Sequence, residues 1–200
     1  LGLQLPLWNS ILNSRFSLYA SYQQLSYWQF YAKSQFFRET NYQPAVYLQS
    51  YFLKNATWQL GAVHESNGRG GKLERSWNRA YFDLRFSGRH WLFSIKPWIL
   101  IFKSESSDLH NPDIAHYLGY GRTLVACHFY HQTFTFMMRN VAESGFKRGA
   151  LEGSWSFPLP FAPQNLRGFV QIFSGYGQSL IEYDHYTNSA GVGIVLSDWI

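Results

Sequence analysis

The chain has 200 residues, of which 20% are aromatic and only 14% are charged. An ordinary soluble domain carries about 25% charged residues, so a conventional soluble surface is disfavoured, and no window approaches the roughly 18 apolar residues of a membrane-spanning helix. The net charge of +5 is spread over short pairs such as Lys147-Arg148, which argues against nucleic acid as a partner and fits basic loops near anionic lipid headgroups equally well.

Turn signals recur often, and the segments between them alternate. Strands are predicted over 1–8, 14–31, 42–54, 57–66, 77–87, 90–102, 116–129, 132–140, 146–157, 166–175, 179–187 and 190–200. Short connectors such as Asn55-Ala56 and Ser87-Gly88-Arg89 make neighbouring strands antiparallel. Side chains alternate across a strand, so parity sorts the faces. Strand 1 puts Leu1, Leu3, Leu5 and Leu7 on one side, and strand 2 puts Phe16, Leu18, Ala20 and Tyr22 there. Strand 6 adds Trp91, Phe93, Ile95 and Ile99, strand 8 adds Phe134 and Phe136, and strand 12 adds Val192 and Ile194. The opposite faces carry Ser21, Gln23, Ser94, Lys96, Thr133 and Arg139. Apolar outside and polar inside is the pattern of a barrel in lipid; a soluble sandwich would show charge on its outer face. The expectation is one domain over 1–200, an all-β, 12-stranded antiparallel transmembrane β-barrel. Hairpin parity gathers the longest loops, 32–41, 67–76 and 103–115, at one end, assigned to the extracellular side.

Cys127 is the only cysteine, which rules out a disulfide within the chain and a multi-cysteine metal site. It reads as a small buried or lipid-facing hydrophobe. The chain starts at Leu1 without a signal-peptide pattern and reads as a mature or trimmed fragment, which says nothing about compartment. Glu152 and Asp184 with Arg122, Arg139 and Arg167 are expected to form a polar network filling the interior. The six histidines other than His64 show no metal-ligand spacing on a common face.

The chemistry concentrates at His64-Glu-Ser66-Asn-Gly and Ser76-Trp-Asn78-Arg. His64 and Ser66 share a face with Trp58, Leu60 and Ala62; Asn78 shares one with Ala80, Phe82 and Leu84. Polar groups on such faces are buried in a core or look at lipid, where they are expensive and usually functional. His64 and Ser66, two residues apart, point the same way at roughly 7 Å by strand rise. Asn78 falls on the next strand, across the hairpin loop. A nucleophile, a base and an orienter make the logic of acyl transfer, and a neutral orienter avoids desolvating a carboxylate. Taken alone, the spacing is weak evidence, since surface polar residues near a loop give the same pattern. Gln24 is outward on strand 2, which fits either the headgroup level or an amide matched across a second barrel.

These residues resemble bacterial outer membrane phospholipase A. The resemblance runs over essentially the whole chain and includes Phe37-Arg-Glu-Thr-Asn-Tyr42, His64-Glu-Ser66-Asn-Gly-Arg69, Ser76-Trp-Asn78-Arg79, Lys96-Pro-Trp98, Asn111-Pro-Asp113, Tyr117-Leu-Gly-Tyr120 and Ser174-Gly-Tyr-Gly177, in the family's order. It implies that Leu1 falls at the end of the family's first strand, with an N-terminal portion outside the sequence. It implies a phospholipase A1/A2 of the Gram-negative outer membrane that hydrolyses phospholipid acyl esters, with Ser66 as nucleophile, His64 as general base and Asn78 as orienter. It further implies calcium as cofactor, with the Arg69 carbonyl as a ligand, Glu74 where the best-known pattern has a serine, and Ser34 completing the partner subunit's site. On the same resemblance the backbone N–H near Gly68 is expected to contribute to the oxyanion hole, and Gln24 matches the glutamine of the family's active homodimer. The rival is a non-catalytic barrel, either a small channel or a structural protein; a soluble β-barrel binder is a distant third.

Overall fold

The computed structural model describes residues 1–28, 37–101, 110–160, 163 and 166–195. Its strands are β1 (Gly2–Trp8), β2 (Ser17–Trp28), β3 (Phe37–Leu53), β4 (Ala56–Ser66), β5 (Ser76–Ser87), β6 (Trp91–Leu100), β7 (Gly121–Phe129), β8 (Gln132–Arg139), β9 (Ala150–Pro158), β10 (Arg167–Tyr176) and β11 (Tyr186–Val195). They form one sheet in the order β1 to β11, each strand pairing antiparallel with the next. The turns at one end are tight. Lys54-Asn55 links β3 to β4, and Tyr130-His131 links β7 to β8, with Tyr130 at φ 48°, the left-handed conformation that two-residue hairpin loops demand.

The sheet curls, and side chains from all eleven strands line one cavity of about 610 Å³. The concave face is polar: Ser21, Gln43, Gln59, Thr135 and Ser154 all line the cavity. The convex face is apolar and open, with Leu5, Ile99, Ile172 and Val192 each at least 60% exposed. Soluble monomers rarely expose contiguous apolar surface on this scale. The alternation read from the sequence therefore holds, and Cys127 is free and exposed on the convex side.

Charges on the concave face are tied into pairs. Arg85 donates to Asp83 at 2.8 Å, and the Ser94 hydroxyl donates to the same carboxylate at 2.6 Å. Arg79 pairs with Glu65, which also accepts from Trp77 Nε1 at 3.0 Å. A buried ion is tolerated when most of its remaining bonds are satisfied, and these clusters do so within two or three neighbouring strands, leaving Arg79 Nε as the one atom of theirs that is buried without an acceptor among the described residues. At the long-loop end an apolar plug covers the cavity. Helix α1 (Ile114–Leu118) and a 3₁₀ turn over Leu180–Glu182 bring Ile114, Leu118, Leu180 and Tyr183 onto Trp77 and Trp98. Asn140 holds α1 in place by donating to the carbonyls of His116 and Tyr117.

Several boundaries differ from expectation. Residues 179–187 do not form a separate strand, and the expected strand over 190–200 is partly the β11 segment and partly outside the described residues. The described sheet thus has eleven strands, not twelve. Gly175 and Gly177, at φ 140° and 69°, end the extended run. Leu180 and Tyr183 are buried together, which a strand, placing them on opposite faces, would forbid. Helix α1 replaces the start of the strand expected at 116, and β3 begins five residues early, at Phe37 rather than 42. Asp184 is exposed and hydrogen-bonded to His185, so it is not part of the interior network, whereas Arg122, Arg139 and Glu152 do line the cavity.

Gly61 faces Tyr47 across β3 and β4. A Cβ there would stand 2.5 Å from Tyr47 Cβ and 2.5 Å from the Val46 carbonyl oxygen. Gly61→Ala must push the strands apart, and the expected loss is about 1–3 kcal/mol. A denaturant midpoint that falls with unchanged slope in detergent would verify this; an unmoved midpoint would show that the pair separates freely.

Candidate active site

The register of β4 against β5 sets His64 opposite Asn78 and Ser66 opposite Ser76. All four project from the convex face, as parity requires. The His64 Nδ1 and Asn78 Oδ1 atoms are 2.8 Å apart. A carbonyl oxygen only accepts, so with the amide oriented this way Nδ1 carries the proton and Nε2 is left as a base. The Ser66 hydroxyl makes no hydrogen bond to His64 among the described residues. The two backbones are separated by the two-residue strand step of about 7 Å.

The loop after Ser66 is built on one side chain. Asn67 is buried; its Oδ1 accepts from the Arg69 and Arg75 amides at 3.3 and 3.0 Å, and its Nδ2 donates to the Leu73 carbonyl at 2.8 Å. The carbonyls of Gly71, Lys72, Leu73, Glu74 and Arg75 each accept a hydrogen bond. Those of Gly68, Arg69 and Gly70 accept none among the described residues. The Gly68 N–H likewise donates to nothing there. Gly68 is at φ 63°, and a Cβ would stand 2.9 Å from the Tyr42 ring, so glycine is required both by conformation and by space. Tyr42 itself lies opposite Ser66 on β3.

A second anchor is Glu39, buried at 1% exposure. It accepts from Asn41 Nδ2 and from the Ile181 amide, both at 2.7 Å, with Arg69 Nε 3.8 Å away. Arg69 also donates to the Arg38 carbonyl, so its side chain is drawn toward β3 and away from its own carbonyl. Asn111 closes the far side of the site. Fully buried, it accepts from the Ser76 amide at 3.0 Å and donates to the Ser76 carbonyl at 2.8 Å. Below it Tyr183 donates to Asp113 at 2.5 Å; burial first, and then this bond, hold its hydroxyl well above the ordinary phenol range.

The residues present fit a hard cation. The Arg69 carbonyl is available, and the Glu74 carboxylate has no hydrogen bond or ion pair among the described residues. Calcium takes oxygen ligands of these two kinds. No cluster of three His, Cys, Asp or Glu that would hold a metal by side chains alone occurs among the described residues. Ser34 lies outside the described residues. Gln24 is half-buried on the convex face of β2. Its Oε1 accepts from the Tyr22 hydroxyl at 2.9 Å and its Nε2 donates to Ser26 at 3.3 Å.

Residues 1–196 match the model of the family "Phospholipase A1". The chain belongs to the phospholipase A1 family. It is 35% identical to the phospholipase A1 of Salmonella typhimurium, covering 99% of this chain and 68% of that relative. It is 34% identical to a putative phospholipase A1 of Neisseria meningitidis, covering 94% of this chain and 51% of that relative. Among solved structures, outer membrane phospholipase A from Escherichia coli superposes with a TM-score of 0.89 at 34% identity, over 100% of this chain and 83% of that one. The calcium-bound dimer of the Salmonella typhi outer membrane phospholipase gives 0.88 at 35% identity, over 99% and 77%. An Escherichia coli form with an active-site asparagine changed to alanine gives 0.88 at 34%. This phospholipase is accordingly an outer-membrane enzyme, and the reading as a non-catalytic barrel falls away.

The sequence reading of this phospholipase missed Asn67, Glu39 and Asn111, although all three lie inside the quoted motifs. A polar residue on the concave side next to the His64–Ser66 pair was the available signal for Asn67. Asn111→Ala would orphan the buried Ser76 amide and carbonyl, at about 1–3 kcal/mol for each group. The expected outcome is a lower thermal midpoint together with faster hydrogen exchange at Ser76 and its β5 neighbours; unchanged exchange there would remove Asn111 as the clamp.

Proposed function

We propose that this phospholipase hydrolyses acyl esters of glycerophospholipids with Ser66 as nucleophile, His64 as general base and Asn78 as orienter. Its site lies on the lipid-facing wall of a closed, 12-stranded transmembrane barrel, with calcium as cofactor and a homodimer as the active form. The observation that carries this reading is the His64–Asn78 hydrogen bond on an exposed apolar face. A site on that wall receives its substrate from the membrane itself. An active-site asparagine in the Escherichia coli relative supports the role of Asn78, and the calcium-bound dimer of the Salmonella typhi relative supports the cofactor and the assembly. A single sheet curled around one cavity, with an apolar convex surface, supports closure in lipid.

The steps use groups already described. Ser66 Oγ attacks the ester carbonyl carbon while its proton passes to His64 Nε2. Asn78 holds the imidazole and stabilises the cation that forms. The Gly68 N–H is free to donate to the carbonyl oxygen as charge develops. Collapse breaks the ester C–O bond, and His64 returns its proton to the departing lysophospholipid oxygen. Water, deprotonated by His64, then releases the fatty acid from Ser66. The Arg69 carbonyl and Glu74 would hold the calcium ion, which supplies positive charge facing the oxyanion. Ser34 would contribute to that site in the partner subunit, and Gln24 would lie at the dimer interface.

Ser66→Ala is expected to abolish phospholipid hydrolysis in detergent with calcium, while activity unchanged would remove Ser66 from the mechanism. Asn78→Ala, which loses one hydrogen bond to the base, should lower kcat about ten-fold. Glu74→Ser removes one negative ligand. The calcium concentration for half-maximal activity should rise about ten-fold, because ligand charge sets affinity at such sites; an unshifted titration would exclude Glu74 as a ligand. For the assembly, Gln24→Ala should reduce cross-linked dimer formed with calcium and a substrate analogue, whereas equal yields would argue against Gln24.

A further inference from the structure

Three cations stand in one row on the concave face. Lys96, Arg122 and Arg139 lie on β6, β7 and β8, and the register sets Lys96 opposite Arg122 and Arg122 opposite Arg139. Directly opposed residues have Cβ atoms about 4.5–5.5 Å apart, and like charges so placed destabilise a sheet. The flanking members find relief. The Lys96 ammonium lies 3.6 Å from the Tyr81 ring centroid. Arg139 donates to the carbonyls of Tyr176 and Gly177 at 2.8 and 3.0 Å, although its Nε is buried without an acceptor. Arg122 has no such partner. It makes no hydrogen bond or ion pair among the described residues, and its Nε is buried without an acceptor.

The carboxylates nearby act on this row only through space: Asp83 and Glu152 attract Arg122, and Glu65 and Glu152 attract Arg139, with no hydrogen bond or ion pair among the described residues. Glu65 is engaged by Arg79 and Trp77, and Asp83 by Arg85 and Ser94. Glu152 lies opposite Met137 and hydrogen-bonds none of the three cations. Among the described residues, the charged side chains lining the cavity include Arg79 and Arg85 besides the row, against Glu65 and Glu152, with Asp83 buried on the same face. Positive charge is therefore in excess, in a space of about 610 Å³. The site is separate from the hydrolytic one, because His64, Ser66 and Asn78 project from the other side of the same sheet.

We infer that the Lys96–Arg122–Arg139 row binds a small phosphate-type oxyanion inside the curled sheet, with Arg122 as its principal ligand. A guanidinium fork matches two oxygens of such an ion, and the ammonium adds a compact charge. The ion replaces repulsion along the row with a bridge across β6, β7 and β8. A free inorganic ion and the phosphate of a lipid headgroup share this chemistry. The free ion is the one assigned, since the headgroup lies outside the wall.

The test uses the whole protein in detergent, exchanged into phosphate-free chloride buffer. Inorganic phosphate is titrated at constant ionic strength, with the thermal midpoint and the ³¹P linewidth as readouts. The wild type should show a saturable rise in midpoint and a broadened ³¹P signal. Arg122→Met should need about ten-fold more phosphate or show no response, and should be no less stable than the wild type without phosphate. Arg122→Lys, which keeps the charge and loses the fork, should bind more weakly than the wild type. Wild type with neither a saturable shift nor broadening would overturn the assignment, whichever variants fold. An Arg122→Met response equal to that of the wild type would also overturn it. A soluble glycerophosphodiester that stabilises more than inorganic phosphate would overturn the choice of the free ion.

Discussion

The pairing of β4 with β5 is the constraint from which the rest of the site follows. It places His64 against Asn78 and Ser66 against Ser76, so the imidazole and the Asn78 amide meet without any long-range fold of the chain. The same pairing sends Glu65, Trp77 and Arg79 to the concave side, where they bond to one another. A slip of one residue would exchange the two sets. The apolar face would then carry Glu65 or Arg79, according to which strand slips, and the interior would lose an ion pair. Both faces penalise the same error, which explains how a strand with so many polar residues holds a single register.

That two-sided economy extends across the sheet. The convex face needs apolar residues at nearly every position, so polar groups there must be few and must satisfy each other locally. His64 with Asn78, and Gln24 with Tyr22 and Ser26, are such groups. The concave face has the opposite problem, since its charges are held close together with little bulk water. Arg85–Asp83–Ser94 and Arg79–Glu65–Trp77 solve it with compact clusters of opposite sign. The row through Arg122 departs from that rule.

Much of this was legible in the sequence because the strand period is two residues and insensitive to detail. Alternation placed Leu5, Ile99 and Val192 outside and Ser94, Lys96 and Thr133 inside without knowledge of any contact. The His64–Asn78 pairing followed from parity and hairpin order. What alternation could not reveal was structure with another period. Leu180 and Tyr183, three apart, pack as a 3₁₀ turn where the alternation predicts a strand, and Ile114 and Leu118, four apart, pack as α1 across the predicted boundary between the 103–115 loop and the strand from 116. Nor does alternation speak to side chains that bond to backbone. Asn67 and Asn111 each replace missing peptide partners, and in sequence such asparagines look like ordinary turn residues.

Calcium and dimerisation, as proposed, would share control of the enzyme. Within one chain the 67–75 loop is already organised by Asn67, and the Arg69 side chain is drawn toward Glu39. The available carbonyl of Arg69 and the carboxylate of Glu74 therefore belong to a preformed loop. A neutral serine in place of Glu74 would make a site that relies more on the second subunit for its affinity. A carboxylate moves part of that affinity into the single chain. Gln24 points the same way, because its amide already has partners on its own strand, which weakens the demand for a matching amide across an interface. Under the proposed mechanism, both features would shift the weight of activation away from metal capture. They would place it on what a second barrel would add, a wall against the exposed apolar face along which an acyl chain would be held beside Ser66.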